Sequence, residues 1–426
     1  MTLLLKNGTV VDPSQNLDQV KLDVLIKDGK IADLAQIESQ TNWEVVNLAG
    51  CFVAPGFVDM HVHLREPGQE EKETIKSGSK AAAAGGFTSI LCMPNTQPVN
   101  DSPSITRFIL EKSRQINTVN VYPCGAISKG LKGETLAEIG EMVEAGVLAI
   151  SDDGNPVENP QLMRRALEYS RLFDIPVIDH CENPSLAAGG CIHEGTMSTR
   201  LGLPGMSRTA EELDVVRDVI LSRVTRGHIH IAHLSTMESL DWIRQAKKQE
   251  IPVTCEVTPH HFILKDEDIN SYDTNCKMNP PLREARDVEA MLQGLQDGSI
   301  DCIATDHAPH TKLDKETTFV DAANGVIGLE CAISLAWEFL VKRKIVTIYH
   351  LVELFSLNPS RILKLNKGTL KKGSSADVTI IDPNRVVTVN KDKFQSLSRN
   401  CPFDGWKLKG APVMTIVGGR IVYSTI

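Results

Sequence analysis

The sequence predicts an α/β fold, a (β/α)8 TIM barrel with a small β-sandwich domain built from both chain termini. Two observations carry that prediction. Through the middle of the chain, eight strand-like apolar runs alternate with helix-forming stretches. At both ends, short β-branched runs are separated by Gly, Pro and Asn turn signals. The expected boundaries are 1–53 and 371–426 for the sandwich and 54–370 for the barrel.

The first part reads strand, turn, strand: apolar runs at 3–5, 20–26 and 45–48 are separated by Asn7-Gly8, Asp28-Gly29 and Ala49-Gly50. The last part mirrors it, with short β-branched runs at 376–383 and 414–422. Between them, strands start near Phe57, Thr88, Val121, Val147, Ile175, His228, Pro252 and Ile300. A typical intervening helix is expected from Thr209, an N-cap completed by Glu212, through Leu213, Val216, Ile220 and Val224 to Gly227. Eight such repeats in about 300 residues match the barrel, whose active sites lie at the carboxyl ends of the strands. Two longer connections, 183–207 and 311–324, fall on that face, where a lid or substrate wall and a merely solvated insertion are equally good accounts.

Composition narrows the function. The 426 residues, 42% of them hydrophobic, can fill a sizeable core, and the net charge of −9 without any Lys/Arg block argues against nucleic acid or an anionic membrane as partner. No segment approaches the ~20 apolar residues of a membrane span, and the start of the chain does not read as a signal peptide. Ten scattered cysteines, never spaced Cys-x-x-Cys, read as reduced thiols of a cytoplasmic protein.

The chemistry is written at the strand ends. Asp59-Met60-His61-Val62-His63 puts two imidazoles on one side of a strand, a metal-ligand spacing. His-x-His also occurs in ordinary half-buried strands, so the other strand ends decide. His180, His233 and His307 each close a further run, and Ser151-Asp152-Asp153-Gly154 and Asp306 bring carboxylates to the same rim. Imidazole nitrogen with carboxylate oxygen is a donor set for Zn²⁺ or a similar ion, and a shared carboxylate can bridge two of them. The assigned ligands are His61, His63, Asp153, His180, His233 and Asp306. Asp152 reads equally as an N-cap or supporting group, and His228 and His230 as structural residues.

Seven ordered motifs carry a resemblance: 59–68 (Asp-x-His-x-His-Leu-Arg-Glu-Pro-Gly), Met93-Pro94-Asn95-Thr96, Ser151-Asp152-Asp153-Gly154, Asp179-His180-Cys181-Glu182, His233-Leu234-Ser235-Thr236, 278–283 and 305–310. Together they resemble the long bacterial (class I) type of dihydroorotase, in the amidohydrolase superfamily, over essentially the whole chain. The resemblance implies one or two Zn²⁺ per subunit at the six ligands, and substrate contacts from His63, Arg65, Asn95, Asn279 and His310. Arg65 follows the ligand pair by two residues and offers a planar fork to a carboxylate, which dihydroorotate carries; for Asn95, a turn after Pro94 is an equally good account. One position departs from the family: where many relatives have Phe-Gly, this chain has Asn324-Gly325, which keeps a close backbone approach but lacks the aromatic contact.

The implied reaction is the reversible cyclisation of N-carbamoyl-L-aspartate to L-dihydroorotate in pyrimidine biosynthesis, with zinc polarising the ring carbonyl and activating water while Asp306 serves as base and then acid. Hydantoinases, dihydropyrimidinases and allantoinases are the nearest rivals, but they bridge their metals with a carboxylated lysine where this chain has Asp153. A rival of another class, an inactive scaffold for aspartate transcarbamoylase, would be expected to lack metal ligands, and none is missing here. A homo-oligomer and an association with aspartate transcarbamoylase are the partner expectations that the resemblance brings.

Overall fold

A computed structural model describes residues 2–269 and 271–426 of the chain. Eight parallel strands form the central sheet: β1 (Phe57–Val62), β2 (Phe87–Cys92), β3 (Asn120–Gly125), β4 (Ala149–Ser151), β5 (Val177–Asp179), β6 (Ile229–Ile231), β7 (Val253–Val257) and β8 (Cys302–Ile303). They pair in sequence order, as right-handed βα units require. Beyond β8 the chain reaches back to β1, where the His63 amide donates to the His307 carbonyl at 2.8 Å. Asp59 reinforces this seam by accepting from the Thr305 amide and hydroxyl at 3.1 and 2.6 Å. The barrel is thus nearly closed.

Inside it, Val58, Met60, Leu91, Cys124, Ala149, Ile178 and Cys302 pack into one buried cluster, while a larger core fills the space between strands and helices. Burying each such aliphatic side chain contributes about 1.5–3 kcal/mol, so the strands need little length to hold their places. That explains why strands of two or three residues suffice for β4, β5, β6 and β8.

The chain ends build two further sheets. One has the strand order Lys30–Ala35, Asp23–Lys27, Thr2–Lys6, Glu44–Asn47. The other runs Arg420–Ser424, Lys407–Val417, Val378–Thr388, Phe52–Pro55, Thr9–Asp12, Leu17–Lys21. Leu3, Val24 and Ile26 of the first share a buried core with Val10, Val53, Val378 and Ile416 of the second. Both termini therefore belong to one sandwich. The apolar run 20–26 splits between the two sheets rather than forming one strand, because Asp23 is buried and accepts the amides of Asn7 and Ile37 at 2.8 and 3.0 Å.

The helix Thr209–Thr225 corrects a prediction. Arg208, not Thr209, stands at its N-cap without a side-chain cap bond, and Glu212 pairs with Arg208 Nε at 3.0 Å instead of closing a capping box. Its apolar stripe also faces outward, with Leu213, Ile220 and Val224 at 52, 44 and 61% exposure. The buried face carries Glu211, Asp214, Asp218 and Ser222, alongside Val215 and Val219. Those carboxylates have partners: Glu211 accepts the Ser235 and Thr236 amides at 3.2 and 2.9 Å, and Arg217 joins Asp214, Asp218 and Asp179 within 3.2 Å. Satisfied polar groups outweigh the stripe.

Candidate metal centre

The pairing of β1 with β2 shifts register between Asp59 and Val62, an irregularity that re-aims side chains in the His61-Val62-His63 segment. His63 Nε2 lies 3.1 Å from Asp306 Oδ1 and 3.4 Å from Asp153 Oδ2. His61 Nε2 lies 3.2 Å from Asp153 Oδ1 and 3.6 Å from Asp306 Oδ1. From β5 and β6, His180 Nδ1 and His233 Nε2 approach each other to 2.9 Å, each 3.8 Å from Asp153 Oδ1. All six side chains assigned from the sequence are buried and converge, with Asp153 between the two groups.

Two compact ligand groups result, His61/His63/Asp306 and His61/Asp153/His233. His61 Nε2 is buried with no hydrogen-bond partner, although it faces both carboxylates. An imidazole lone pair, two carboxylates and two imidazoles in nitrogen-to-nitrogen contact fit a divalent cation well. The electrostatics agree. Burial alone would raise the carboxyls of Asp153 and Asp306, yet His61 and its neighbours hold both below the usual range. Burial opposes charge on His61, but Asp153 and then Asp306 raise its pKa well above the ordinary value. The site demands positive charge.

Supporting residues surround these side chains, and three of them, Glu256, Thr254 and Glu182, had no role assigned from the sequence. Glu256, fully buried on β7, binds His61 Nδ1 at 2.8 Å and His230 Nε2 at 3.2 Å; Thr254 Oγ1 in turn bonds His230 Nδ1 and His228 Nε2, both at 2.8 Å. Burial raises the Glu256 carboxyl, but its bonds with His230 and His61 bring it down to about 2. A carboxylate behind a ligating imidazole leaves the opposite nitrogen, here Nε2, for the metal. His228 and His230 are thus linked through Thr254 and Glu256 to His61. Glu256 was discoverable as a lone acid inside an apolar strand. Glu182, 3.3 Å from His180 Nε2, similarly leaves Nδ1 facing Asp153, and it accepts from Asn279 Nδ2 at 2.6 Å.

Asp152 accepts the Ile127 and Ser128 amides at 2.8 and 3.0 Å and the Ser128 hydroxyl. His307 turns away to Glu73 at 3.3 Å.

Arg65, Asn95, Asn279, His310, Asn324 and Gly325 line a cavity of about 220 Å³ together with the ligands His63, Asp153, His180, His233 and Asp306. That is below the ~300–1,000 Å³ of drug-sized pockets and suits a small ring. A larger cavity, about 460 Å³, shares only His310 with it and contains none of the six ligands. Arg65, 8% exposed, donates from Nε to the Pro309 carbonyl at 3.2 Å. Among the described residues, no carboxylate lies within ion-pair distance of its guanidinium. Asn95 Oδ1 accepts from His63 Nδ1 at 2.9 Å, which leaves His63 Nε2 for the metal side. Asn279 Oδ1 is a buried acceptor without a partner. His310 donates from Nε2 to the Asn324 carbonyl at 2.7 Å, and burial, with Arg65, Lys315 and Lys72, pushes its pKa down to about 3.

The segment 311–324 is not structureless. It contains the short helix Lys312–Lys315 and ends in the cavity wall, while 183–207 carries the helices Pro184–Ala187 and Thr196–Leu201 and a two-residue strand pair.

Comparison with known proteins matches residues 50–239 to the "Dihydro-orotase-like" family model and 225–423 to the amidohydrolase family. The dihydroorotase of Geobacter metallireducens is 50% identical over 424 residues, covering 99% of this chain and 100% of that protein. That of Acetivibrio thermocellus is 52% identical over 420 residues, covering 99% and 98%. The L-hydantoinase (dihydropyrimidinase) structure from Arthrobacter aurescens superposes with a TM-score of 0.88 at 26% identity, covering 99% of this chain and 96% of that one.

Proposed function

The chain belongs to the dihydroorotase family of the amidohydrolases and is a cyclic amide hydrolase, and from that premise we propose that it interconverts L-dihydroorotate and N-carbamoyl-L-aspartate in pyrimidine biosynthesis. The observation that carries the substrate choice is Arg65: a buried guanidinium at the cavity wall with no carboxylate partner among the described residues. Such a cation is expensive to bury and is best explained by an anion arriving with the ligand. A ring with a single carboxylate meets that need; hydantoin and allantoin bring none.

The donor set favours zinc. His61, His63 and Asp306 would hold one ion and His180 and His233 a second, with Asp153 within reach of both groups. When bound, zinc would polarise the ring carbonyl and make water a nucleophile near neutral pH. The chain's residues supply the rest. Arg65 anchors the substrate carboxylate with its two terminal nitrogens, and Asn279 Oδ1 is free to accept a ring N–H. Asp306 accepts a proton from the water that attacks the carbonyl carbon. The carbon–nitrogen bond then breaks, and Asp306 returns the proton to the departing ring nitrogen. Cyclisation runs the same steps backwards.

All six ligand positions are filled, which argues against an inactive scaffold for aspartate transcarbamoylase. The reading includes a cytoplasmic homo-oligomer, and a division into a sandwich (1–53, 371–426) and a catalytic barrel (54–370). The test offers purified, zinc-loaded protein dihydroorotate, hydantoin and allantoin in parallel. Turnover of dihydroorotate is expected; turnover of the other two without it would refute the substrate.

A further inference from the structure

We propose that Lys315 and Lys277 form a paired ammonium clamp that holds residues 320–325 as the fixed wall of the substrate cavity, making Lys315 a positioning residue for substrate binding. The inference rests on the dihydroorotase reading for the identity of the substrate, not for the clamp.

Both lysines are 5% exposed. Lys315 Nζ donates to the carbonyls of Ala323, Gly325 and Lys277 at 2.8, 3.0 and 3.3 Å. Lys277 Nζ donates to those of Val320 and Ala322 at 2.7 and 2.6 Å. Among the described residues, neither ammonium has a carboxylate within ion-pair distance, so their hydrogen bonds go to backbone carbonyls, with Lys277 Nζ also 6.0 Å from the centre of the Phe319 ring. An ammonium offers three donors and no acceptor, and Lys315 uses all three on carbonyls. Removing it would orphan the buried Ala323 carbonyl and leave the Gly325 carbonyl with only its bond from Asn400 Nδ2 at 3.1 Å.

The clamp bears directly on the cavity. Asn324 and Gly325 line it, and the Asn324 carbonyl receives the His310 bond. Gly325 has φ of +131°, and a Cβ there would lie 2.7 Å from Ala308 Cβ and 3.2 Å from His310 Nε2. The wall is therefore packed against site residues with little slack. Asn324 precedes this glycine, and charge-assisted bonds to the backbone hold the segment from behind.

The test compares wild type with Lys315→Met and Lys315→Gln, each checked for zinc content. Lys315→Met should speed amide exchange of residues 320–326 at least tenfold without ligand, raise KM for dihydroorotate at least tenfold, and change kcat less than threefold. Lys315→Gln, which retains a donor on a shorter stem, should fall between. Unchanged exchange, or faster exchange with unchanged KM, would overturn the proposal. So would failure of both variants to fold with metal, since the lysine would then serve the global fold. A wild type that ignores dihydroorotate would refute the functional reading instead; the exchange measurement, with KM for whichever cyclic amide is hydrolysed, would still judge the clamp.

Discussion

Replacing Arg65 with Met tests the substrate assignment at its most exposed point. The guanidinium is buried beside the cavity, its Nε is engaged by Pro309, and its remaining nitrogens have no carboxylate among the described residues. A charge-assisted hydrogen bond is worth about 1.5–3 kcal/mol, so a two-pronged contact with the substrate carboxylate is worth about 3–5 kcal/mol after some relaxation. At about 1.4 kcal/mol per tenfold, kcat/KM for dihydroorotate should fall about 10²–10⁴-fold. Metal content should not fall. The charges of Asp306 and Asp153 act on Arg65, so removing the guanidinium leaves those carboxylates at least as attractive to a divalent ion. The assay pairs dihydroorotate turnover with zinc analysis, and adds dihydrouracil, which has the ring without the carboxylate. The variant-to-wild-type ratio for dihydrouracil should stay near one. Loss of zinc with KM unchanged, or an equal loss on both substrates, would mean that Arg65 holds the site together and the carboxylate binds elsewhere.

Asp306→Asn should lower kcat by at least about 10²-fold, the low end of a general acid–base contribution, in a protein with an unchanged circular-dichroism spectrum; near-normal turnover would remove Asp306 from proton transfer. Asp153 already carries its carboxylate, so apo-protein reloaded with Zn²⁺ in CO₂-depleted buffer should recover as much activity as with bicarbonate, and Asp153→Ala should lose or loosen at least one metal. A strict bicarbonate requirement would show that another group bridges. His193, 2% exposed, accepts from Arg283 at 3.2 Å, and burial, then Arg283, pushes its pKa down to about 3. The folded state keeps it neutral while the unfolded chain protonates near pH 6.5, so stability present above pH 6.5 is lost as pH falls toward 3, by up to about 1.4 kcal/mol per unit. His193→Asn should flatten that decline in urea melts at pH 4.5, 5.5 and 7; an unaltered slope would exclude His193 as its source.

The eightfold alternation of strands and helices, the paired terminal sheets and the convergence of six histidine and aspartate side chains were all legible in the sequence. Each is written in local terms: hydrophobic period marks an element, and the carboxyl end of a barrel strand is where the rim lies. What was not legible depends on partners far away in the chain. Where the Asp152 carboxylate bonds is decided by the Ile127 and Ser128 amides, 25 and 24 residues distant from it. Glu256 acquires its place only because barrel closure brings β7, one strand beyond β8, within reach of His61, 195 residues earlier. The helix Thr209–Thr225 presents an apolar stripe to solvent because Arg217 and the Ser235-Thr236 turn supply its buried acids with partners. Hydrophobic periodicity cannot anticipate that outcome. It assumes that burying a carboxylate is always costlier than exposing a leucine, and the assumption fails once tertiary structure delivers the hydrogen bonds that make the buried charge stable.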